Sequence, residues 1–132
     1  MIGIVVVGHG QVAVELVKAA RGIVGEIPRI AAVSVGWSDD VSDATTAVRR
    51  ALEEVGGPPA LVLTDMFGGT PTNVSLPLLV EGVEIVTGVN LPMLIKLASV
   101  RAKGTMADAV KAAQEAGRKY IRVASQELAP GR

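Results

Sequence analysis

A chain of 132 residues is long enough for one domain with a substantial core and too short for two. Thirteen basic residues cancel thirteen acidic ones, and with one Trp, one Tyr and one Phe there is neither a strong field nor a set of stacking platforms for nucleic acid. The absence of cysteine excludes disulfides and thiolate zinc sites, while 49% hydrophobic residues demand an aliphatic core of the kind that builds buried parallel sheets.

The opening IGIVVVG (2–8) reads as a strand buried on both faces, and it lacks the length and basic flank of a signal peptide. QVAVELVKAARGIVG (11–25) follows with apolar residues at helical spacing and a closing glycine. After Pro28, RIAAVSVG (29–36) predicts a second strand. The polar stretch WSDDVSDAT then leads into a helix over 43–55, with Asp43 as a candidate N-cap and Gly56-Gly57-Pro58-Pro59 as its stop. ALVLTD (60–65) is a third strand, MFGGTP its exit loop, and TNVSLPLLVEG (72–82) a helix in spite of Pro77. VEIVTG (83–88) is a fourth strand, and LPMLIKLASVRA (91–102) and TMADAVKAAQEAG (105–117) are helical. KYIRVAS (119–125) alternates as a last strand, which bounds one domain over 1–125, and 126–132 is expected to fray. No apolar run reaches the roughly 18 residues of a membrane span, and a cytoplasmic protein is expected.

Strands alternating with helices imply right-handed crossovers and an α/β fold, an open, doubly wound, mostly parallel sheet. Chemistry in such sheets gathers beyond the carboxyl ends of the strands, where the strand order reverses. The sole histidine, His9, stands there in VGHGQ, and Asp65 ends the third strand; the two converge if those strands are neighbours. A carboxylate that accepts the Nδ1 proton fixes the tautomer, frees the Nε2 lone pair and stabilises positive charge on the ring, which favours covalent chemistry at Nε2. Gly68 and Gly69 let backbone amides approach an anion, and Thr70-Pro71 reads as an N-cap followed by proline at the first helical position. The helix that starts near Gln11 aims its amino end at the same spot. Gly10, Gly68, Gly69 and Thr70 are therefore candidate phosphoryl-binding residues, and His9 with Asp65 the candidate catalytic pair.

Blander readings stand beside these. A single histidine is more often structural, and Gly68-Gly69-Thr70-Pro71 alone is only a turn and a cap. Trp37, exposed by its polar company in GWSDD, is a partner-contact residue or a lid over the core. Asp39, Asp40 and Asp43 read as a solvated loop and helix start, poor metal candidates without convergent oxygens, so no metal site is expected. RKYIR reads as a charged strand edge.

GHG after the first strand, DMFGGTPTN at 65–73 and TGVNLPML at 87–94 together resemble, in order and spacing, the enzyme IIA domain of the mannose family of the phosphoenolpyruvate-dependent sugar phosphotransferase system, over nearly the whole chain to Ser125. The resemblance implies that His9 is the phosphorylated histidine and Asp65 its carboxylate partner. It places Thr70 near the phosphoryl group and Phe67 as the exit-loop aromatic, a second partner-contact candidate. It implies passage of phosphoryl from the phosphocarrier HPr to His9 and on to a IIB protein, separate here, which serves the membrane permease components IIC and IID indirectly, with no metal or nucleotide cofactor. It also implies a homodimer in which the final strand pairs antiparallel with the partner's sheet edge.

Other classes share pieces of the pattern. Gly8-His9-Gly10-Gln11-Val12-Ala13 satisfies the G-x-G-x-x-A dinucleotide fingerprint, yet the second strand ends Val35-Gly36-Trp37 with no acid to hold a ribose. A receiver domain needs acidic residues after strand one, and a histidine phosphatase needs arginine before His9 and a second histidine. The phosphotransferase subunit of phosphoenolpyruvate-dependent dihydroxyacetone kinase shares the N-terminal histidine, against which DMFGGTPTN argues. A regulatory module that binds according to its phosphorylation state would use His9 equally.

Overall fold

β-Branched and aliphatic runs at four places in the chain pair into one sheet: β1 (Gly3–His9), β2 (Ile30–Val35), β3 (Ala60–Thr64) and β4 (Val83–Thr87). Every pairing is parallel and the order is β2–β1–β3–β4 in this computed structural model, which describes residues 1–128. The chain therefore leaves β1 toward β2 on one side and returns to its other side with β3. That reversal is the topological switch point, and it lies at the end of β1.

Five helices cover the two faces, α1 (Val12–Val24), α2 (Val41–Glu54), α3 (Thr70–Ser75), α4 (Leu91–Val100) and α5 (Met106–Lys119), and a short sixth among the described residues, α6 (Ala124–Leu128), buries no side chain. Successive residues of a strand point to opposite faces. Ile4 and Val6 of β1, with Leu61 and Leu63 of β3, thus pack under Ala13 and Val17 of α1, Leu94 and Leu97 of α4 and Ala113 of α5. Val5, Val7 and Val62 pack on the other side under Ala44, Val48 and Ala51 of α2 and Val74 of α3. Small alanines on the helix stripes let the helices sit close to a sheet of bulkier side chains. No helix among the described residues is long and apolar enough to cross a membrane.

Three expectations are corrected. The helix expected over 72–82 is α3 followed by a 3-10 turn at Leu76–Leu78. Pro77 offers no amide hydrogen and crowds the preceding turn, so α-helix cannot continue through it. The cap of α2 is Asp40, whose side chain accepts from Ser42 N at 2.7 Å, so the helix starts two residues before Asp43. KYIRVAS is not a strand in the single chain: α5 runs on to Lys119, residues 121–123 belong to no regular element, and α6 begins at Ala124. A strand needs a ladder partner, whereas the basic Arg118 and Lys119 suit the negative end of a helix and extend it. Gln126–Leu128, expected to fray, belong to α6, and residues 129–132 lie outside the described residues.

Candidate functional site

Pairing of β1 with β3 in the register Val7 with Thr64 sets the ends of the two strands side by side. Asp65 thereby meets His9 across 56 positions of sequence: one carboxylate oxygen, Oδ2, accepts from the His9 backbone amide at 2.8 Å and lies 2.7 Å from Nδ1. The other oxygen accepts from Met66 N at 3.0 Å. Partial burial alone would raise the Asp65 pKa, but the His9 amide, the imidazole and its charge, and the Met66 amide together outweigh it and hold the carboxyl below its ordinary value. An ionised carboxylate only accepts, so Nδ1 carries the hydrogen in this pair. In the neutral ring the lone pair is then on Nε2, which has no hydrogen-bond partner among the described residues. The two side chains are 23% and 15% exposed, enough for a reacting group to enter.

The exit loop of β3 is tied from below. The Thr72 hydroxyl donates to the Met66 carbonyl at 2.6 Å, and the Thr64 hydroxyl, 2.7 Å away, supplies the hydrogen between the two threonines. Both are buried, which anchors the loop while leaving its tip free. Gly68 takes φ of +87°, a conformation that side chains resist. The N-cap of α3 is Gly69 rather than Thr70, which becomes the first helical residue. A Cβ on Gly69 would stand 2.7 Å from His9 Cε1 and 3.1 Å from Nε2, so the nucleophilic edge of the ring faces this glycine and the start of α3. Gly10, at φ of +54°, turns the chain out of β1, and its amide donates to the Val35 carbonyl at 2.9 Å. That amide is therefore engaged in joining the loops after β1 and β2.

Trp37 lies across the imidazole, ring centroids 5.4 Å apart and planes 21° from parallel, while remaining 84% exposed. Its turn is clipped by Asp39, whose carboxylate accepts from Gly36 N at 2.6 Å, and Asp40 is occupied in capping α2. Neither acid turns toward His9, and no cluster of three or more His, Cys, Asp or Glu side chains forms among the described residues. Phe67 is exposed at the tip of the opposite loop. Sequence reasoning missed the Trp37 stack, the room that Gly69 leaves for the ring and the buried pair Thr64 and Thr72. The nearest available signals were a tryptophan just past the second strand and two threonines flanking DMFGGTP, neither specific without strand order.

The geometry is that of an oriented imidazole with one free nitrogen before a glycine-rich helix start, and known proteins are similar in both sequence and fold. Residues 3–114 match the family model EIIA-man, described as the PTS system fructose IIA component. The chain is 31% identical over 97 residues to the PTS system sorbose-specific EIIA component of Lacticaseibacillus casei, covering 72% of this chain and 70% of that protein. It is 33% identical over 132 residues to the PTS system mannose-specific EIIAB component of Escherichia coli (strain K12), covering 92% of this chain and 39% of that longer protein. The crystal structure of phosphotransferase system component EIIA from Streptococcus agalactiae superposes with a TM-score of 0.86 at 26% identity, over 96% of this chain and 99% of that one.

Proposed function

The chain belongs to the mannose-type EIIA family of the sugar phosphotransferase system, a family of phosphoryl carriers, and from that premise we propose that His9 accepts phosphoryl from the phosphohistidine of HPr and passes it to a IIB protein. The observation that carries the reading is His9 itself: Nδ1 is bonded to Asp65 at 2.7 Å and Nε2 is open toward Gly69.

In the forward step the Nε2 lone pair attacks the phosphorus in line, the new N–P bond forms as the donor's N–P bond breaks, and the donor imidazole leaves with the electron pair. The proton on Nδ1 stays between His9 and Asp65, so the phosphorylated ring is cationic and the carboxylate balances it. Transfer to IIB is the same step with the roles exchanged. A loose transition state leaves little covalent work to the protein, so positioning and anion stabilisation dominate. Residues 68–70 would face the phosphoryl oxygens with their amides, because the first amides of a helix lack partners within it. Phe67, exposed at the tip of the loop after β3, would touch both protein partners in turn.

The reading extends to a cytoplasmic homodimer that supplies phosphoryl through IIB to a IIC/IID permease. Support for the dimer comes from two unpaired features of the single chain: β4 is an open sheet edge, and Tyr120, Ile121 and Val123 are exposed just beyond α5. A segment that finds its ladder only on a second copy would cover both.

Incubation with phosphoenolpyruvate, enzyme I and HPr tests the acceptor. One phosphoryl group per chain is expected, acid-labile and base-stable as an imidazole N–P bond is, and none in His9→Ala. Label that persists in the variant, or that sits on Asp65, overturns the assignment.

A further inference from the structure

Two rings that occur near one another only by folding, the single tryptophan and the single histidine of the chain, are stacked at the site. The contact follows from strand pairing. His9 is opposite Val35 in the β1–β2 register, Gly10 N bonds the Val35 carbonyl, and the chain turns at Gly36 directly into Trp37. The turn is closed from both sides, because Gly36 N donates to the Asp39 carboxylate at 2.6 Å and Asp39 N donates to the Gly36 carbonyl at 3.2 Å. The indole is thus carried on a short clipped loop. With 84% of its surface exposed it contributes little to the core, and one ring face meets the imidazole while the other meets solvent.

The separation of 5.4 Å lies within the range of favourable aromatic pairs, and Trp is the strongest ring for holding a cation over its face. The imidazole is confined on three sides: Asp65 at Nδ1, Gly69 at the Cε1–Nε2 edge and the indole on one face. Without the indole, the ring keeps Asp65 at Nδ1 and Gly69 at one edge but loses the contact on its face, the direction in which it can then tilt. The ring also gains positive charge when phosphoryl joins Nε2 with Nδ1 still protonated, and the indole face lies against that charge.

We propose that Trp37 is a positioning residue for phosphoryl transfer, one that holds the His9 ring with Nε2 directed at Gly69 and favours the cationic phosphohistidine. The proposal rests on His9 being the acceptor, and it differs from a role in partner docking, which would act through affinity for the donor protein alone.

The full-length protein, Trp37→Ala and Trp37→Phe separate these possibilities. In the unphosphorylated protein, ring current from the indole should displace the His9 Cε1 and Cδ2 proton resonances; the displacement should vanish in the Ala variant and persist in part in the Phe variant. This readout does not depend on phosphorylation. Phosphoramidate, a small donor that needs no docking surface, should then phosphorylate Trp37→Ala about two- to fivefold more slowly than the parent, with Phe restoring most of the rate, as a cation–π contribution at an exposed site allows. With phospho-HPr the loss should fall in kcat. Equal rates with phosphoramidate together with a raised KM for phospho-HPr would make Trp37 a docking residue and overturn the proposal, as would undisplaced His9 resonances in the parent. A parent that displays the ring-current displacement yet takes no phosphoryl from either donor overturns the acceptor reading and the chemical half of this proposal with it, leaving only the stack.

Discussion

Gly69 and His9 are so close that the glycine could not carry a side chain with the imidazole where it is: a Cβ would come within 2.7 Å of Cε1 and 3.1 Å of Nε2. The backbone of Gly69, at φ of −85° and ψ of 172°, suits any residue, so the requirement comes from the ring and not from the turn. Gly69→Ala should fold normally and push the imidazole off its bond to Asp65. A misplacement of that order costs about a hundredfold in rate. Phosphoryl uptake compared with far-ultraviolet circular dichroism checks it; an unchanged rate with an unchanged fold would mean that the ring has freedom the packing denies.

Asp65→Asn keeps the shape of the carboxylate and removes its charge. The amide can present either its oxygen or its nitrogen to Nδ1, so the tautomer is no longer enforced and the cationic phosphohistidine loses its counter-charge. Loss of the orienting aspartate in the hydrolase triads costs about 10⁴-fold, and the expected slowing here approaches that figure as an upper bound. Rapid-quench transfer in both directions measures it. Unchanged rates would reduce Asp65 to a structural acceptor.

The low Asp65 pKa also has a consequence for stability. Because the folded value lies below the unfolded one, about 3.9 for a free aspartate, the carboxylate contributes stability above the unfolded value and loses it as pH falls through the folded value. The parent should therefore unfold at higher urea than Asp65→Asn at neutral pH, and the gap should close as pH falls below the free-aspartate value of about 3.9 and through the lower folded one. A gap that is constant across that window would show that the carboxylate charge is not what the fold uses.

Leu63 is fully buried on β3 beneath the α1, α4 and α5 layer. Leu63→Ala should cost about 2–5 kcal/mol, the combined loss of transfer free energy and packing around the cavity left behind. Urea unfolding followed by circular dichroism gives the value, and a cost below about 1 kcal/mol would mean that the layer collapses onto the space.

Truncation after Gly117 removes the segment that has no ladder in the single chain. The dimer reading requires the shortened protein to lose self-association and some stability together. Light scattering at tens of micromolar decides it, and a monomeric full-length protein would end the idea.

Local chemistry determined much of this protein. Unbroken aliphatic runs such as IGIVVV and ALVL can be buried only in a sheet covered on both faces, and the helical stripes between them supply the covers, so an open parallel α/β sheet is legible in the sequence alone. His9 could be placed at the mouth of the sheet for the same reason, since a lone histidine between glycines at the end of a buried strand has nowhere else to go. Pro77 is legible too: the apolar run around it favours helix, but the α-helix stops where proline removes its bond. The N-terminus of α2 fell to Asp40 rather than Asp43 because both are adequate caps and only the length of the turn from β2, clipped by Asp39, chooses between them. What tertiary structure alone decided are the contacts across strand order: the carboxylate of Asp65 on His9, the indole of Trp37 over the ring and the empty space at Gly69 that the ring fills. Periodicity and capping act within a few turns of chain, whereas these three contacts join loops that neighbour one another only because β1 is the central strand between β2 and β3. The same limit governed KYIRVAS, whose alternation is that of a strand but whose conformation depends on whether a sheet edge is within reach to complete its hydrogen bonds.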